Sequence, residues 1–467
     1  MRTDEESGSF EAPLSRRSLL SAGAAGGLGL WLLADGGAAL AAASRKSAAA
    51  AAAAATGTVS VYTSAGQRWE LPQRAVLPLF QKKFPDIKVN LRPLPHSEAV
   101  TKVQVTMASK STAYDVVFTD YGQWPALAKL GAMTDLKPFM DRDPRWRDDY
   151  LKDVPTAINK LYRAPATPSG KLFGLTPDGN AQIVYYRADQ FEKAGIKVPK
   201  TWPEAIEAAK ELTDAKRKQY GFITTARRGG FAGWTFWAVM ASYGGKWFDK
   251  EAPGGWHPRF NTEAGFKALE VLGKLMPYAH PVTLNATDDE ANSALANGSA
   301  LYAPIEWGTS ILNNKKFTKY WAVIRSDLPP RGETKAGVHR PLMGGLGMFI
   351  PTWSKNKDAA WEWMKWCCSG DKTDPAIGRA WVNGSGQPAR VSLLKKYSNI
   401  RPYFNGLAKA YPYAVSFVSI IPEAFTISDV IGNEATAVFA GQKDIEDALK
   451  AMDKGVEKIM RDAGYYK

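Results

Sequence analysis

The chain has 467 residues, of which 45% are hydrophobic and 11% aromatic, so it is long enough for two or three folded domains and is not a disordered polymer. Its net charge of +14 permits an anionic ligand or partner. Cations alternate with acidic residues along predicted helices, as from Glu204 to Lys218, which does not favour nucleic-acid binding. The two cysteines, Cys367 and Cys368, are neighbours in a predicted helix, and we expect buried free thiols because a disulfide there would distort the backbone.

The first 43 residues have the pattern of an export signal. Arg16 and Arg17 precede an apolar run that ends at Leu33, and small residues suited to signal peptidase follow it. Gly and Ala dilute this run too much for a settled membrane span. The arginine pair resembles the twin-arginine signal, which is read by machinery that exports folded proteins. We predict a signal peptide over residues 1–43 that is removed on export, and an alanine-rich spacer over residues 44–57.

Strands and helices alternate from Thr58 onwards. Predicted helices over residues 68–84 and 97–108 separate three predicted strands, which span residues 58–64, 87–94 and 114–120. Such alternation builds a parallel sheet that is covered by helices on both faces. Ligands bind such sheets beyond the carboxyl ends of the strands. The polar loops after the first and third strands should therefore face one opening.

A second unit begins where Pro177 interrupts the pattern before a predicted strand over residues 182–187. Residues 201–212 predict a helix whose first turn carries a capping box, formed by Thr201 and Glu204. Further predicted strands span residues 299–307, 320–329 and 344–351, and an amphipathic helix spans residues 444–460.

Several kinds of catalytic or cofactor site are absent from the sequence. No Cys-x-x-Cys occurs and the four histidines are scattered, so we expect no metal and no cofactor. The segment GGLGMFIP lacks the third glycine of a dinucleotide loop, and no Gly-x-Ser-x-Gly is present. Paired carboxylates of a glycoside-active enzyme remain open, because their separation is spatial and cannot be read from the sequence.

Several segments resemble the solute-binding proteins of carbohydrate ABC transporters, in the maltose-binding-like group of bacterial solute-binding family 1. They occur in the order typical of that family and span nearly all of the chain after the spacer. The segments are YDVVFTDYGQWPALAKLGAMTDL, KLFGLTPDGNAQIVYYRADQFEKAGIKVPKTWPEAIEAAKELT, ALANGSALYAPIEWG, GGLGMFIPTWSKNKDAAWEWMKW and GQPARVSL. The resemblance implies an α/β fold of the periplasmic-binding-protein type II-like kind, with two doubly wound lobes joined by hinge crossings. These crossings would fall near residues 178–182, 303–306 and 344–349.

The same resemblance implies a first lobe over residues 58–180 and 304–346, a second lobe over 181–303 and 347–467, and a ligand site between them. Sugars need carboxylates, amides and arginines for their hydroxyls and an aromatic face for their C–H groups. The candidate residues are Ser64, Gln67, Arg68 and Asp120 in the first lobe, Asp178, Glu306, Trp307 and Gly345 at the crossings, and Trp234 and Arg390 in the second lobe.

The implied function is the binding of a mono- or oligosaccharide or a polyol between closing lobes. A periplasmic monomer without a lipid anchor or catalytic activity would then deliver this ligand to the membrane permease of an ABC importer. Two alternatives remain open. The net charge of +14 prompts a binding protein for an anionic solute, such as a sugar acid or glycerol phosphate. Because the separation of the carboxylates cannot be read from the sequence, an exported glycoside-active enzyme is the other alternative.

Overall fold

The computed structural model describes residues 55–66, 68–164, 170–416 and 420–466. The predicted export signal with Arg16 and Arg17, and the candidate residue Gln67, lie outside the described residues. Within the described part of the chain, no helix combines the length and the apolar character needed to cross a bilayer.

The strands match most of the predicted ones in position. The described strands are β1 (Gly57–Ser64), β2 (Ile87–Leu94), β3 (Val116–Asp120), β4 (Arg163–Ala164), β5 (Lys171–Leu172), β6 (Leu175–Arg187), β7 (Tyr302–Trp307), β8 (Ile324–Asp327), β9 (Leu342–Phe349) and β10 (Val415–Ser416).

Helices occupy most of the intervening segments. The described α-helices are α1 (Glu70–Lys83), α2 (His96–Ala108), α3 (Trp124–Lys129), α4 (Lys137–Asp141), α5 (Pro144–Asp153), α6 (Thr156–Leu161), α7 (Ala188–Lys193), α8 (Trp202–Leu212), α9 (Gly230–Ser242), α10 (Glu263–Leu275), α11 (Asp288–Asn297), α12 (Lys357–Cys367), α13 (Ile377–Asn383), α14 (Val391–Lys396), α15 (Phe404–Ala410), α16 (Ala424–Phe439) and α17 (Ile445–Asp462).

The main sheet is mixed and has the strand order β2-β1-β3-β9-β6-β7. Strand β1 pairs in parallel with β2 and β3, as the alternation of elements predicts, whereas β9 runs antiparallel to β3 and β6. Strand β6 changes partners along its length. Its first half, up to Ala181, pairs with β9, and its second half, from Gln182, pairs with β7 and β8. We call the elements around β1, β2, β3 and β9 the first lobe and those around β7 and β8 the second lobe.

Strand β6 begins earlier than predicted, and the prediction of a break at Pro177 is wrong. The strand passes through Pro177 because β9 supplies its backbone partners, with Asp178 opposite Leu346 and Gly179 opposite Gly345. The register is irregular between Leu175 and Asp178, which accommodates the proline that lacks an N–H. The crossing between the lobes is therefore a continuous strand rather than a loop.

Helices α12 and α13 pack on α1 of the first lobe, and α12 also packs on β1. The sequence analysis assigned residues 347–467, which include both helices, to the second lobe. The observed packing differs from that assignment. The contact is aromatic, because Trp363 and Trp366 of α12 meet the ring of Phe80 edge-on. Cys367 and Cys368 are free and buried in this packing, as expected, and burial raises the pKa of both thiols.

Two local features of the second lobe differ from the sequence expectations. Helix α9 was not predicted, because it is buried against α10 and α16 and is apolar on nearly every side, which leaves no helical periodicity. The predicted capping box at α8 is incomplete. Glu204 does accept a hydrogen bond, from the Lys200 N–H at 2.8 Å, but the Thr201 side chain does not cap the helix.

Candidate functional site

A partly buried ion pair lies at the crossing between the lobes. Arg68, which lies two residues before the start of α1, donates from Nη2 to Asp178 Oδ1 at 2.6 Å. The Asp178 side chain is fully buried in β6, and the Gln387 N–H is 3.4 Å from its Oδ2. The structure thus joins two of the candidate residues. In this structure Asp178 holds Arg68 and the Gln387 backbone in position.

Gln387 is not among the candidate ligand-binding residues chosen from the sequence. Its Nε2 donates to Asn180 Oδ1 and to the Gly308 carbonyl, both at 3.1 Å, and its carbonyl accepts from the Gly179 N–H at 3.0 Å. One amide side chain therefore ties the crossing strand β6 to the residue that follows β7. The signal for it was present, since Gln387 lies in the segment GQPARVSL, but nothing in the local pattern shows which strands it joins.

Glu306 and Trp307 form the end of β7. Glu306 is 1% exposed, and its Oε1 accepts from the Trp307 N–H at 2.9 Å. Its Oε2 is buried and has no hydrogen-bond partner within the described part of the chain. Burial raises the pKa of Glu306 well above its usual 4.5, and the nearby Asp288 raises it further. The protonated form is thus favoured, and it can donate as well as accept a hydrogen bond.

The raised pKa of Glu306 makes a testable contribution to stability. The folded protein holds this proton over a pH range in which the unfolded chain, with a pKa near 4.5, loses it, so stability falls as pH rises through that range. We expect Glu306→Gln to gain stability relative to the parent as pH rises, by up to about 1.4 kcal/mol per pH unit. Urea unfolding of both proteins across the pH range measures this. A stability difference that does not vary with pH would show that Glu306 titrates normally.

An aromatic group connects the two lobes. Trp234 of α9 is half-buried, and its ring centroid is 5.1 Å from that of Phe231 and 6.3 Å from that of Phe425 in α16. Phe425 in turn lies against Gly122, which follows β3 of the first lobe. A Cβ atom at Gly122 would be 2.6 Å from the Phe425 ring. This contact brings the two lobes together beside the candidate Trp234.

For three further candidates, the described contacts are made by the backbone and not by the side chain. Ser64 is buried at the end of β1, where its carbonyl accepts from Thr63 Oγ1. Asp120 is the last residue of β3 and pairs with β9 through its backbone; its side chain lies outside the described set. Gly345 faces Gly179 across the strands, and a Cβ there would be 3.0 Å from the Asp178 carbonyl. Gly345 therefore permits close strand approach.

Arg390 lies in a different environment from the other candidates. Its Nη1 is 2.8 Å from an Asp149 carboxylate oxygen and 3.3 Å from one of Asp153, and its Nε donates to the Cys368 carbonyl at 2.9 Å. The side chain is buried, and these contacts tie α5 to the end of α12 within the first lobe. Arg390 was chosen as a second-lobe ligand contact, but its guanidinium is engaged in this packing, and we leave it out of the proposed site.

Both arginines chosen from the sequence have carboxylate partners. The cations chosen from the sequence are each paired, Arg68 with Asp178 and Arg390 with Asp149 and Asp153. Among the residues that the structure describes, no cluster of three or more metal-ligating side chains occurs.

Two α/β lobes with a strand that crosses between them, buried polar side chains at that crossing and an aromatic contact between the lobes are the architecture of a type II periplasmic solute-binding protein. The chain belongs to the bacterial extracellular solute-binding protein family, whose model matches residues 34–369.

Individual relatives and a solved structure agree with this assignment. A probable amino-acid ABC transporter periplasmic-binding protein of Sinorhizobium fredii is 27% identical over 388 residues, which are 80% of this chain and 83% of that one. The mannitol-binding protein of Pseudomonas aeruginosa is 25% identical over 418 residues, covering 83% and 90%. The crystal structure of an ABC transporter solute-binding protein of Agrobacterium vitis with bound D-mannitol is 26% identical, with a TM-score of 0.67 over 88% of this chain and all of that one.

Proposed function

We propose that this protein binds a neutral polyhydroxylated ligand, a sugar or a sugar alcohol, between its two lobes and delivers it to the permease of an ABC importer. The observation that carries the proposal is the ion pair at the crossing, where Arg68 is already paired with Asp178. Glu306 adds a buried carboxyl group beside Trp307. Carboxyl and amide groups suit hydroxyls, and the tryptophan suits the C–H face of the ligand.

The mannitol-binding relative and the D-mannitol-bound structure support this ligand class. An anionic solute, the alternative prompted by the overall charge of +14, would need a cation without a carboxylate partner. Arg68 and Arg390 do not meet that need, because both have such partners. Neither of these two candidate cations is therefore available to an anion, which favours the neutral ligand.

A thermal-shift screen tests the ligand class. D-mannitol, ribitol, maltose, glycerol 3-phosphate and an amino acid are compared at the same concentration. A ligand that binds only the folded state at a hundredfold excess over its Kd stabilises the protein by about 2.7 kcal/mol. We expect the melting temperature to rise with at least one neutral polyol or sugar. A rise with glycerol 3-phosphate or the amino acid alone would contradict the proposal.

We propose further that the protein does not hydrolyse its ligand. The described carboxyl groups at the crossing support this, since Asp178 is buried against Arg68, and Glu306 is itself buried. Glycoside hydrolysis requires two such groups on either side of the bond. Incubation with a panel of glycosides, followed by chromatography, should return the substrates unchanged.

The lobes are proposed to act as a monomer that closes on the ligand by bending at residues 178–182, 303–306 and 344–349. The change of partners within β6 at Ala181 and Gln182 supports a hinge at the first of these. Closure that depends on the ligand follows if the contacts of both lobes are complete only in the closed state.

We also propose that the twin-arginine machinery exports the folded protein to the periplasm and that its signal is removed. Replacing both Arg16 and Arg17 by lysine is expected to leave the uncleaved precursor in the cytoplasm, because that route reads the arginine pair. Immunoblots of cytoplasmic and periplasmic fractions measure this. Normal processing of the variant and its normal recovery from the periplasm would rule the route out.

A further inference from the structure

A surface segment of the second lobe combines exposed aromatic rings with cations. It follows β7, and Phe317 and Trp321 are 48% and 42% exposed. The exposed cations of the segment are Lys315, Lys316, Lys319 and Arg325. No acidic residue occurs between Trp307 and Asp327, so this stretch departs from the mixing of charges seen along most of the chain. We call these six side chains the basic aromatic surface.

The positive charge of the basic aromatic surface is not compensated. Within the described part of the chain, none of its four cations forms an ion pair with a carboxylate. Arg325 donates to the Ala322 carbonyl at 2.6 Å, and Lys319 lies 5.1 Å from the Tyr320 ring centroid. The next acidic residue along the chain, Asp327, is paired with Lys409 at 2.8 Å. The segment itself therefore contributes four cations without carboxylate partners to the surface of the described chain.

Buried anchors fix the segment and leave its rings outside. Asn313 donates to the carbonyls of Trp321 and Ile324, at 3.3 Å and 3.1 Å. Thr318, which is buried between Phe317 and Lys319, donates to the Ala296 carbonyl at 2.5 Å. The backbone is thus held in place while the two aromatic rings stay exposed. Nearly half of the surface of each residue stays in water, and exposed aromatic side chains among cations are typical of an interaction surface.

The basic aromatic surface is distinct from the proposed ligand site. Strand β6 runs from the crossing at Asp178 to Arg187, a length of about 30 Å at the usual strand rise. The Arg187 guanidinium lies 3.7 Å from the centroid of the Tyr320 ring, which places the segment at the far end of that strand. A ligand at the crossing is therefore far from these rings.

We propose that the basic aromatic surface binds the interface of an anionic phospholipid bilayer. Tryptophan and phenylalanine insert their rings at the level of the headgroups, and lysines reach the anionic groups while their stems pack on apolar surface. The composition favours lipid over a protein partner, because lysine is depleted in protein interfaces and three of the four cations are lysines. The inference goes beyond the proposed ligand binding and does not depend on it.

Co-sedimentation with vesicles tests the proposal. The purified chain is mixed with vesicles of phosphatidylglycerol and phosphatidylcholine, or of phosphatidylcholine alone, at low and at raised salt. We expect binding to the anionic vesicles that falls as salt rises. Replacing Lys315, Lys316 and Lys319 by glutamine should weaken it about a hundredfold, since each lysine contributes about fivefold near an anionic surface. Replacing Phe317 and Trp321 by serine should weaken it at least about tenfold.

Matched variants control for general charge and hydrophobicity. The triple change of Lys82, Lys83 and Lys88 to glutamine removes as many exposed lysines from the first lobe, and Leu130→Ser with Val105→Ser removes two exposed apolar side chains. Both controls should bind vesicles like the parent. Failure of the parent to bind anionic vesicles at low salt, equal binding to neutral vesicles, or equal losses in controls and variants would overturn the proposal. If the parent did not bind vesicles, and the variants lost binding to a detergent-solubilised permease, the surface would instead be assigned to a protein partner.

Discussion

Replacing Trp307 or Trp234 by alanine is expected to weaken binding of the neutral ligand by about thirtyfold or more. A buried aromatic anchor typically accounts for about 2 kcal/mol of binding free energy, which corresponds to that factor in Kd. Trp307 follows the buried Glu306 directly, and Trp234 lies in the aromatic group that joins the lobes. Each ring would cover the C–H face of the ligand while the polar groups fix its orientation. Titration calorimetry on the two variants measures the loss.

The control for this prediction is Trp321→Ala. Trp321 is also partly exposed, but it lies in the basic aromatic surface at the far end of β6. Its removal should leave the ligand affinity unchanged, and thermal unfolding of all three variants shows that the fold is retained. Affinities of the Trp307 and Trp234 variants equal to that of the parent would remove both residues from the site.

Adding a single methyl group at Gly122 is expected to weaken ligand binding by about tenfold. The Cβ of Gly122→Ala would lie 2.6 Å from the Phe425 ring, so one lobe would have to move away from the other or the ring would have to turn. Overpacking of this kind costs about 1 to 3 kcal/mol. Because the contact joins the lobes, the cost falls on the closed state, and affinity drops while each lobe remains intact. Calorimetric titration of the variant measures the loss.

Gly273→Ala is the matched control, since a Cβ at Gly273 of α10 meets no atom within 4 Å. It should bind like the parent. Combining Gly122→Ala with Phe425→Ala removes the crowding, so the double variant should close on the ligand more readily than Gly122→Ala alone. Loss of the Phe425 ring also removes its contact with Trp234. Unchanged affinity in Gly122→Ala would show that this contact does not form in the liganded protein.

Local patterns in the sequence predicted elements with a clear hydrophobic period. Strand β2 and the amphipathic helix α17, whose burial is one-sided, fall where alternation and helical spacing put them, and so does β1. Helix α9 and the first half of β6 were missed for opposite reasons. Burial on nearly every side hides the period of α9, and the pairing of β6 with β9 overrides the local signal of Pro177.

The candidate site depended on contacts that are distant in sequence. Arg68 and Asp178 are 110 residues apart; the family resemblance made both of them candidates, but neither it nor any local pattern predicted that they pair. Gln387 was missed although its segment was noted, because its partners Asn180 and Gly308 lie in other elements. Arg390 was chosen for its residue type, yet carboxylates of α5, more than 230 residues away, engage it. Residue type predicts what a side chain can bind but not which neighbours bind it first.

The salt dependence of the ligand affinity tests the central claim most directly. The best neutral ligand from the screen is titrated into the parent and into Arg68→Ala by calorimetry at low and at raised salt. A neutral ligand in a site whose cation is already paired should bind the parent with nearly the same Kd at both salt concentrations. The account would be contradicted if the affinity of the parent fell markedly with salt and glycerol 3-phosphate bound more tightly than any neutral polyol or sugar.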